Sequence, residues 1–310
     1  MRAVSQSTVG APSVLHTVDL PRPVPLPSEV LVRVHAAAVN PVDAMVRSGA
    51  FPLLGEPPFV LGWDVSGVVE EVVPGVTRFA VGDEVYGMPF FPRPGNGYAE
   101  YVAVPSRQLA RKPANLDHVR AAALPLAGLT AWQALVDTAQ VGPGQRVLVH
   151  AAGGGVGHLA VQIAKARGAY VVATASGGKA EFVRGLGADE VVDHRSTDFT
   201  EVLSDLDVVL DGVGGPVGPR SIGVLRPGGL LVTLVARTDT ALRDATTAAG
   251  RRFAGVTVEP DRVGLEALTA LVEDGLLRPH VEHALPLEEA AKAHELIERG
   301  DTRGKIVLTL

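Results

Sequence analysis

The amino-acid sequence predicts an α/β protein, a doubly wound parallel sheet accompanied by a β-rich domain. From about Val119 onward, short apolar runs alternate with amphipathic stretches: "RVLVH", "VGHLAVQIAKARG", "YVVAT", "KAEFVRGLG", "EVVD", "DVVLD", "LLVTLV". Strands that alternate with helices in this way form parallel sheets. The runs are continuously valine- and leucine-rich, as expected of strands covered on both faces. The chain has 310 residues, more than one hydrophobic core usually serves, so a second domain is expected.

That second domain is read from the first 118 or so residues, which are rich in proline, glycine and short valine runs. In "EVLVRVHAAAV", Val30, Val32 and Val34 alternate with other residues, predicting a half-buried strand. The stretches "WDVSGVVEEVV", "VGDEVYGM" and "GYAEYVAV" predict further strands. Beyond "GVTV", apolar spacing predicts helices near 264–274 and 287–299. The closing "KIVLTL" is expected either to return to the first domain's sheet or to extend the parallel one.

The segment "HAAGGGVG", His150–Gly157, stands between a predicted strand and a helix whose apolar face is Val156, Leu159, Ala160, Ile163 and Ala164. A glycine-rich turn in that position offers bare N–H groups and the positive end of a helix to a pyrophosphate. Against the dinucleotide fingerprint G-x-G-x-x-G the chain supplies Ala152, Gly154 and Gly157, with Gly155 and Val156 between the last two. Ala152 still permits the tight turn, Gly154 admits the phosphates, and Gly157 lets the helix pack on the strand. About 20 residues further on, an acid would hold the ribose hydroxyl of NAD. The chain reads "VVATASGGKAEFVR" there. Without that acid, and with Ser176 as donor and Lys179 as cation, the expected cofactor is NADPH. Lys179 alone also reads as a solvated first-turn residue.

Composition removes other classes. The net charge of -6 is spread without a basic run, so no nucleic-acid partner is expected. No apolar stretch is long enough for a membrane span or an export signal, and a cytoplasmic location is expected. There is no cysteine, which removes disulfides, thiolate-held zinc and a cysteine nucleophile together.

Several stretches carry a family resemblance: "AAAVNPVDAMVRSG", "PFVLGWDVSGVVEEV", "GYAEYV", "LPLAGLTAWQAL", "HAAGGGVGHLAVQIAK" and "GADEVVD". Through them the chain resembles the zinc-independent quinone oxidoreductases of the medium-chain dehydrogenase/reductase superfamily over nearly its full length. The resemblance implies a catalytic domain like the chaperonin-10 (GroES) barrel, built from residues 1–118 and 263–310, around a Rossmann-type NADP-binding domain at 119–262. It implies a homodimer as well. Zinc-dependent relatives have a cysteine where Asn40 stands and a histidine where Trp63 stands, so no metal is expected. The implied reaction is metal-free hydride transfer from NADPH to a small-molecule quinone or α,β-unsaturated carbonyl. A non-catalytic NADPH-binding redox sensor or structural protein, and a tailoring enone reductase, are the alternatives.

The same resemblance assigns site residues. Asn40 and Asp43 are placed at the catalytic site, though Asn40 before Pro41 is also a good helix cap. Met45 stands where several relatives have a tyrosine, and offers apolar packing only. Trp63 and Asp64 occupy the ground of the lost zinc site. Trp63 is expected to form a flat wall for a planar substrate, or else to be a core residue. Phe90 lies on a loop expected near substrate. Toward the cofactor the resemblance places Thr130, His194, Val213, Gly214, Leu234, Val235, Arg237 and Lys305. For Thr130 a helix-start role, for Arg237 a solvent-facing charge, and for Lys305 a charge flanking the final strand are the simpler readings.

Overall fold

The computed structural model describes residues 1–310. It divides into two compact units, one of Met1–Leu129, Glu259–Glu273 and Pro279–Leu310, the other of Thr130–Val258 and Asp274–Arg278. The strands are β1 (Arg2–Gln6), β2 (His16–Asp19), β3 (Glu29–Val39), β4 (Phe59–Val60), β5 (Asp64–Val72), β6 (Glu84–Gly87), β7 (Tyr101–Pro105) and β8 (Leu109–Arg111). They continue with β9 (Arg146–Val149), β10 (Tyr170–Ala175), β11 (Glu190–Asp193), β12 (Leu206–Asp211), β13 (Leu225–Thr233), β14 (Arg252–Gly255), β15 (Val281–Pro286) and β16 (Lys305–Thr309).

In the first unit a small antiparallel sheet runs β2-β1-β4, and a seven-stranded sheet runs β15-β16-β3-β5-β6-β8 with β7 also paired to β3. The long β3 is the hub. Glu29–Arg33 pairs with β7, Ala36–Val39 pairs with β16, and the other edge pairs with β5. With neighbours along both edges, β3 is buried almost throughout. The half-buried alternation expected from Val30, Val32 and Val34 is therefore corrected: both faces of this strand are covered, so spacing alone misleads. Ala36 and Ala38 pack with Ala122, Ala123 and Val307, where short side chains let the helix His118–Ala122 lie close to the strand.

The tail "KIVLTL" forms β16 in this unit, antiparallel to β3 and parallel to β15, which decides between the two placements left open by the sequence. The helix Arg262–Glu273 buries Leu265, Leu268 and Val272 on one face. The helix Ala290–Arg299 is introduced by a 3-10 turn at Leu287–Glu289 and ends at Gly300 in the left-handed region, φ +71°.

The second unit is a six-stranded sheet of order β11-β10-β9-β12-β13-β14, parallel throughout. Renumbered from its own first strand, β9, this is the order 3-2-1-4-5-6 of the doubly wound dinucleotide-binding fold. Its core holds Leu148, Val172, Val209 and Leu231 from four adjacent strands, closed by Phe199 and Leu242. No helix is long and apolar enough to cross a membrane.

Candidate active site

In a sheet of this order the sense of strand addition reverses between β9 and β12, and ligands bind at the carboxyl edge beside that switch point. Five chain segments leave that edge: the glycine turn after β9, Ser176–Lys179 after β10, His194 after β11, Val213–Gly214 after β12, and Leu234–Arg237 after β13. The structure thus sets most of the expected cofactor residues along one sheet edge.

The glycine turn is shaped by close backbone contact. The helix Gly157–Ala166 starts immediately behind it, and a Cβ on Gly157 would lie 2.3 Å from the Ala151 carbonyl oxygen, so only glycine fits. Ala152 is buried and its amide donates to the Thr174 carbonyl at 3.0 Å, locking the turn to β10. The amide of Gly154 donates to Ala151 O at 3.0 Å. The buried His158 ring reaches back to Gly154 O at 3.0 Å. Gly155 and Val156 complete the turn, half-exposed, at the positive end of the helix. Lys179 lays its aliphatic stem over Gly153, where an added Cβ would meet Lys179 Cδ at 2.8 Å. A cation and a row of main-chain amides therefore stand together, a combination suited to phosphate.

Under the turn lies a buried network that the sequence reading missed. His150 contacts Thr174 Oγ1 through Nδ1 at 3.0 Å and Ser221 Oγ through Nε2 at 3.1 Å. Ser221 donates to Val217 O at 2.8 Å, which makes it the acceptor from His150 and assigns the proton to Nε2. Burial pushes the His150 imidazole down to about 4, so the ring is neutral. On the next strand the buried Asp211 accepts from the amides of Val213 and Gly214, both at 2.9 Å, and so fixes the loop after β12. That loop meets the one after β13: a Cβ on Gly214 would touch Val235 Cγ1 at 3.0 Å. Val213 and Val235 are 49% and 55% exposed, an apolar shelf at the sheet edge. Leu234 extends the pairing through its amide to Asp211 O at 2.9 Å. Arg237 is half-exposed, with its backbone crossing close to Gly255. His194 is exposed, and Thr130 is buried near the start of this unit.

In the first unit, strand registers bring Asn40, Asp64 and Lys305 to one end of the large sheet: Ala38 pairs with Asp64, and Val39 with Ile306. Asn40 Nδ2 donates to Asp64 Oδ2 at 2.8 Å, and Leu126 N donates to Asp64 Oδ1 at 2.6 Å. Lys305 Nζ donates to Val39 O at 3.1 Å, to Asn40 Oδ1, and to Asp64 Oδ2 at 3.3 Å. Burial raises the Asp64 carboxyl, and the Lys305 ammonium works against that rise. Asp43 is as deep: Oδ2 accepts from Asn40 N at 2.7 Å and Oδ1 from Gly62 N at 3.1 Å, and burial pushes its carboxyl up to about 7.

These contacts place the expected residues of the first unit. Asn40 and Asp43 are buried at the start of the helix Pro41–Ser48, with Asn40 at the capping position, and their polar atoms bond within the unit. Lys305 flanks the final strand and is buried, its ammonium committed to Val39, Asn40 and Asp64. Trp63 is no open wall. It is fully buried, with Nε1 donating to Arg93 O at 2.7 Å and its ring edge-on to Phe91 at 5.4 Å. Asp64 is equally enclosed. Met45, 46% exposed, lines a shallow depression with Pro41, Ala44, Ser48, Ile297 and Glu298. Phe90 is half-exposed in a left-handed conformation, φ 58°, held by its amide to Gln108 Oε1 at 2.8 Å.

A 3-2-1-4-5-6 parallel sheet with a glycine turn and a helix start at its switch point defines a dinucleotide-binding α/β protein. Comparison with known proteins narrows the class. Residues 26–114 match the "Alcohol dehydrogenase GroES-like domain" family model and residues 186–308 the "Zinc-binding dehydrogenase" model. The chain is 34% identical to the quinone oxidoreductase of Homo sapiens, covering 100% of this chain and 98% of that protein. It is 39% identical to the chloroplastic NADPH-dependent alkenal/one oxidoreductase of Arabidopsis thaliana, covering 90% of this chain and 72% of that protein. Among solved structures, the quinone oxidoreductase from Coxiella burnetii superposes with a TM-score of 0.95 at 38% identity, over 100% of this chain and 99% of that one. The Escherichia coli quinone oxidoreductase complexed with NADPH gives 0.88 at 27% identity, over all of both chains. The chain belongs to the zinc-independent quinone oxidoreductase family of the medium-chain dehydrogenase/reductase superfamily. It is an NAD(P)H oxidoreductase of that family, acting on a small molecule.

Proposed function

We propose that the protein is an NADPH-dependent reductase of quinones or α,β-unsaturated carbonyl compounds, working without a metal. The observation that carries the reading is the phosphate cradle at the switch point: the turn closed by Gly157, with the Lys179 stem folded onto Gly153. Gly154 would leave room for the pyrophosphate, and Gly155, Val156 and Gly157 would hold it through main-chain amides. Ser176, Lys179 and His194 would hold the adenosine end and its phosphate, and Thr130 would meet the nicotinamide half. Val213, Gly214, Leu234 and Val235 would bed the nicotinamide ring against an apolar shelf whose shape Asp211 fixes. When bound, NADPH supplies hydride to an electron-poor carbon.

For such a reaction the chain's own task is orientation and exclusion of water rather than activation of an alcohol. The lack of cysteine and the pairing of Asn40 with Asp64 and Lys305 agree with that division of labour, because the polar groups of this region are satisfied by one another. The names of the human and Arabidopsis relatives support quinone and alkenal/one substrates respectively. The test is loss of NADPH absorbance across a panel of quinones, enals and enones. Turnover with at least one class is expected, and no turnover with any of them overturns the reading.

A further inference from the structure

The carboxyl ends of β10 and β11 lie side by side, with Ala175 opposite Asp193, and the amide of His194 continues the pairing to Ala175 O at 3.2 Å. The chain leaving β10 then turns through Ser176–Lys179 and passes directly over the Asp193 side chain. A Cβ on Gly177 would stand 2.6 Å from Asp193 Oδ2, so this glycine provides room for a carboxylate. Asp193 is held in that attitude from its other side: Oδ1 accepts from Arg195 N at 3.0 Å, and its carbonyl accepts from Ser196 N at 3.1 Å and Thr197 N at 2.9 Å. Its Oδ2 thus bears on the same turn that carries Ser176 and Lys179.

We infer that Asp193 is a cofactor-specificity residue, a carboxylate fixed beside the Ser176–Lys179 turn that favours a ribose hydroxyl and opposes a 2′-phosphate. The inference rests on the reading above, in which the adenosine end of the dinucleotide lies at that turn. A carboxylate accepts a hydrogen bond from a neutral ribose hydroxyl and repels a phosphate, whereas Lys179 attracts the phosphate. The acid that sequence spacing seeks at the end of β10 is instead contributed by the end of β11. With both groups on one turn, the chain binds NADPH with only a moderate preference and retains NADH.

Calorimetric titration of NADPH and NADH into the full chain tests this with wild type, Asp193→Asn and Lys179→Met. The amide introduced by Asp193→Asn keeps an oxygen acceptor for the Arg195 N–H, so the turn is retained, and thermal melting checks that it is. In Asp193→Asn the ratio of NADPH to NADH affinity is expected to rise about tenfold, as for removal of one like charge several ångströms from the phosphate. An unchanged ratio in Asp193→Asn, alongside weakened NADPH binding in Lys179→Met, overturns this inference and leaves the NADPH reading standing. Equal loss of both nucleotides in Asp193→Asn also overturns it, by assigning Asp193 a purely structural role. Binding of neither nucleotide to the wild type overturns both.

Discussion

Lys305 and Asp64 form an ion pair, Nζ to Oδ2 3.3 Å, with the two side chains only 3% and 0% exposed. Each terminates a strand that borders β3, and Asn40 bridges them with both ends of its amide. Removing one member of such a pair strands the other in a low-dielectric interior. Lys305→Met is therefore expected to destabilise the protein by about 3–5 kcal/mol, measured by urea unfolding. Combining it with Asp64→Asn should recover part of that loss, since the stranded charge is gone.

Gly157, closing the turn after β9, and Gly178, in the turn after β10, make a controlled comparison at the sheet's carboxyl edge. A Cβ at Gly157 meets main-chain atoms that cannot move aside, Ala151 O at 2.3 Å and Ala152 Cα at 2.7 Å, whereas a Cβ at Gly178 meets nothing within 4 Å. Gly157→Ala should weaken NADPH binding by roughly tenfold or more, because the helix start must shift away from the turn. Gly178→Ala should bind as the wild type does. Fluorescence titration distinguishes the two.

The buried histidines give the stability a definite pH slope. His150 is pushed down to about 4 and His294 to about 3, both mainly by burial, from a reference of 6.5. Below pH 6.5 the unfolded chain takes up protons that the folded chain refuses, so each contribution is complete above 6.5 and is lost as pH falls toward 4. Asp43 acts in the opposite sense. Its carboxyl is raised from 3.8 to about 7, so its contribution is complete below 3.8 and is lost as pH rises through 7. Unfolding free energies at pH 5, 6 and 7.5 should show a shallower acid-side loss in His150→Asn, and in Asp43→Asn a smaller decline toward neutral pH.

Leu231 lies on β13, between β12 and β14, fully buried in the core cluster that also holds Leu148, Val209 and Phe199. Leu231→Ala should cost about 2–5 kcal/mol by lost burial and a residual cavity. Its ratio of NADPH to NADH affinity should stay that of the wild type, because no contact at the carboxyl edge changes. Denaturant titration and calorimetry read the two effects separately.

The parallel sheet was legible in the sequence because its signals are local. Continuous valine runs, the glycine turn and the helix face from Val156 to Ala164 each announce themselves within a dozen residues. The first unit was less so. Strands β4 and β8 are short and exist through partners more distant in the chain, β1 and β6, which no local period reports. The same limit explains the site. Ser176 and Lys179 are readable from their distance to the fingerprint, but Asp193 reaches their turn only through the lateral pairing of β10 with β11. Asn40, Asp64 and Lys305 meet through two strand registers, β16 with β3 and β3 with β5. That Trp63, Asp43 and Lys305 are enclosed is not readable from their letters, because burial is a property of the assembled unit.

The position of β16 beside β3 imposes an order on biosynthesis. The strand that Ala36–Val39 needs as a neighbour, Lys305–Thr309, follows the whole of Thr130–Val258 in the chain, and Leu310 ties its amide to His35 O at 3.1 Å. The nucleotide-binding unit, contiguous from Thr130 to Val258 apart from a five-residue return, has nearly its whole sequence available earlier. During translation the glycine-turn domain can mature first, while the half emerging ahead of it waits, with an open sheet edge, for its closing strand.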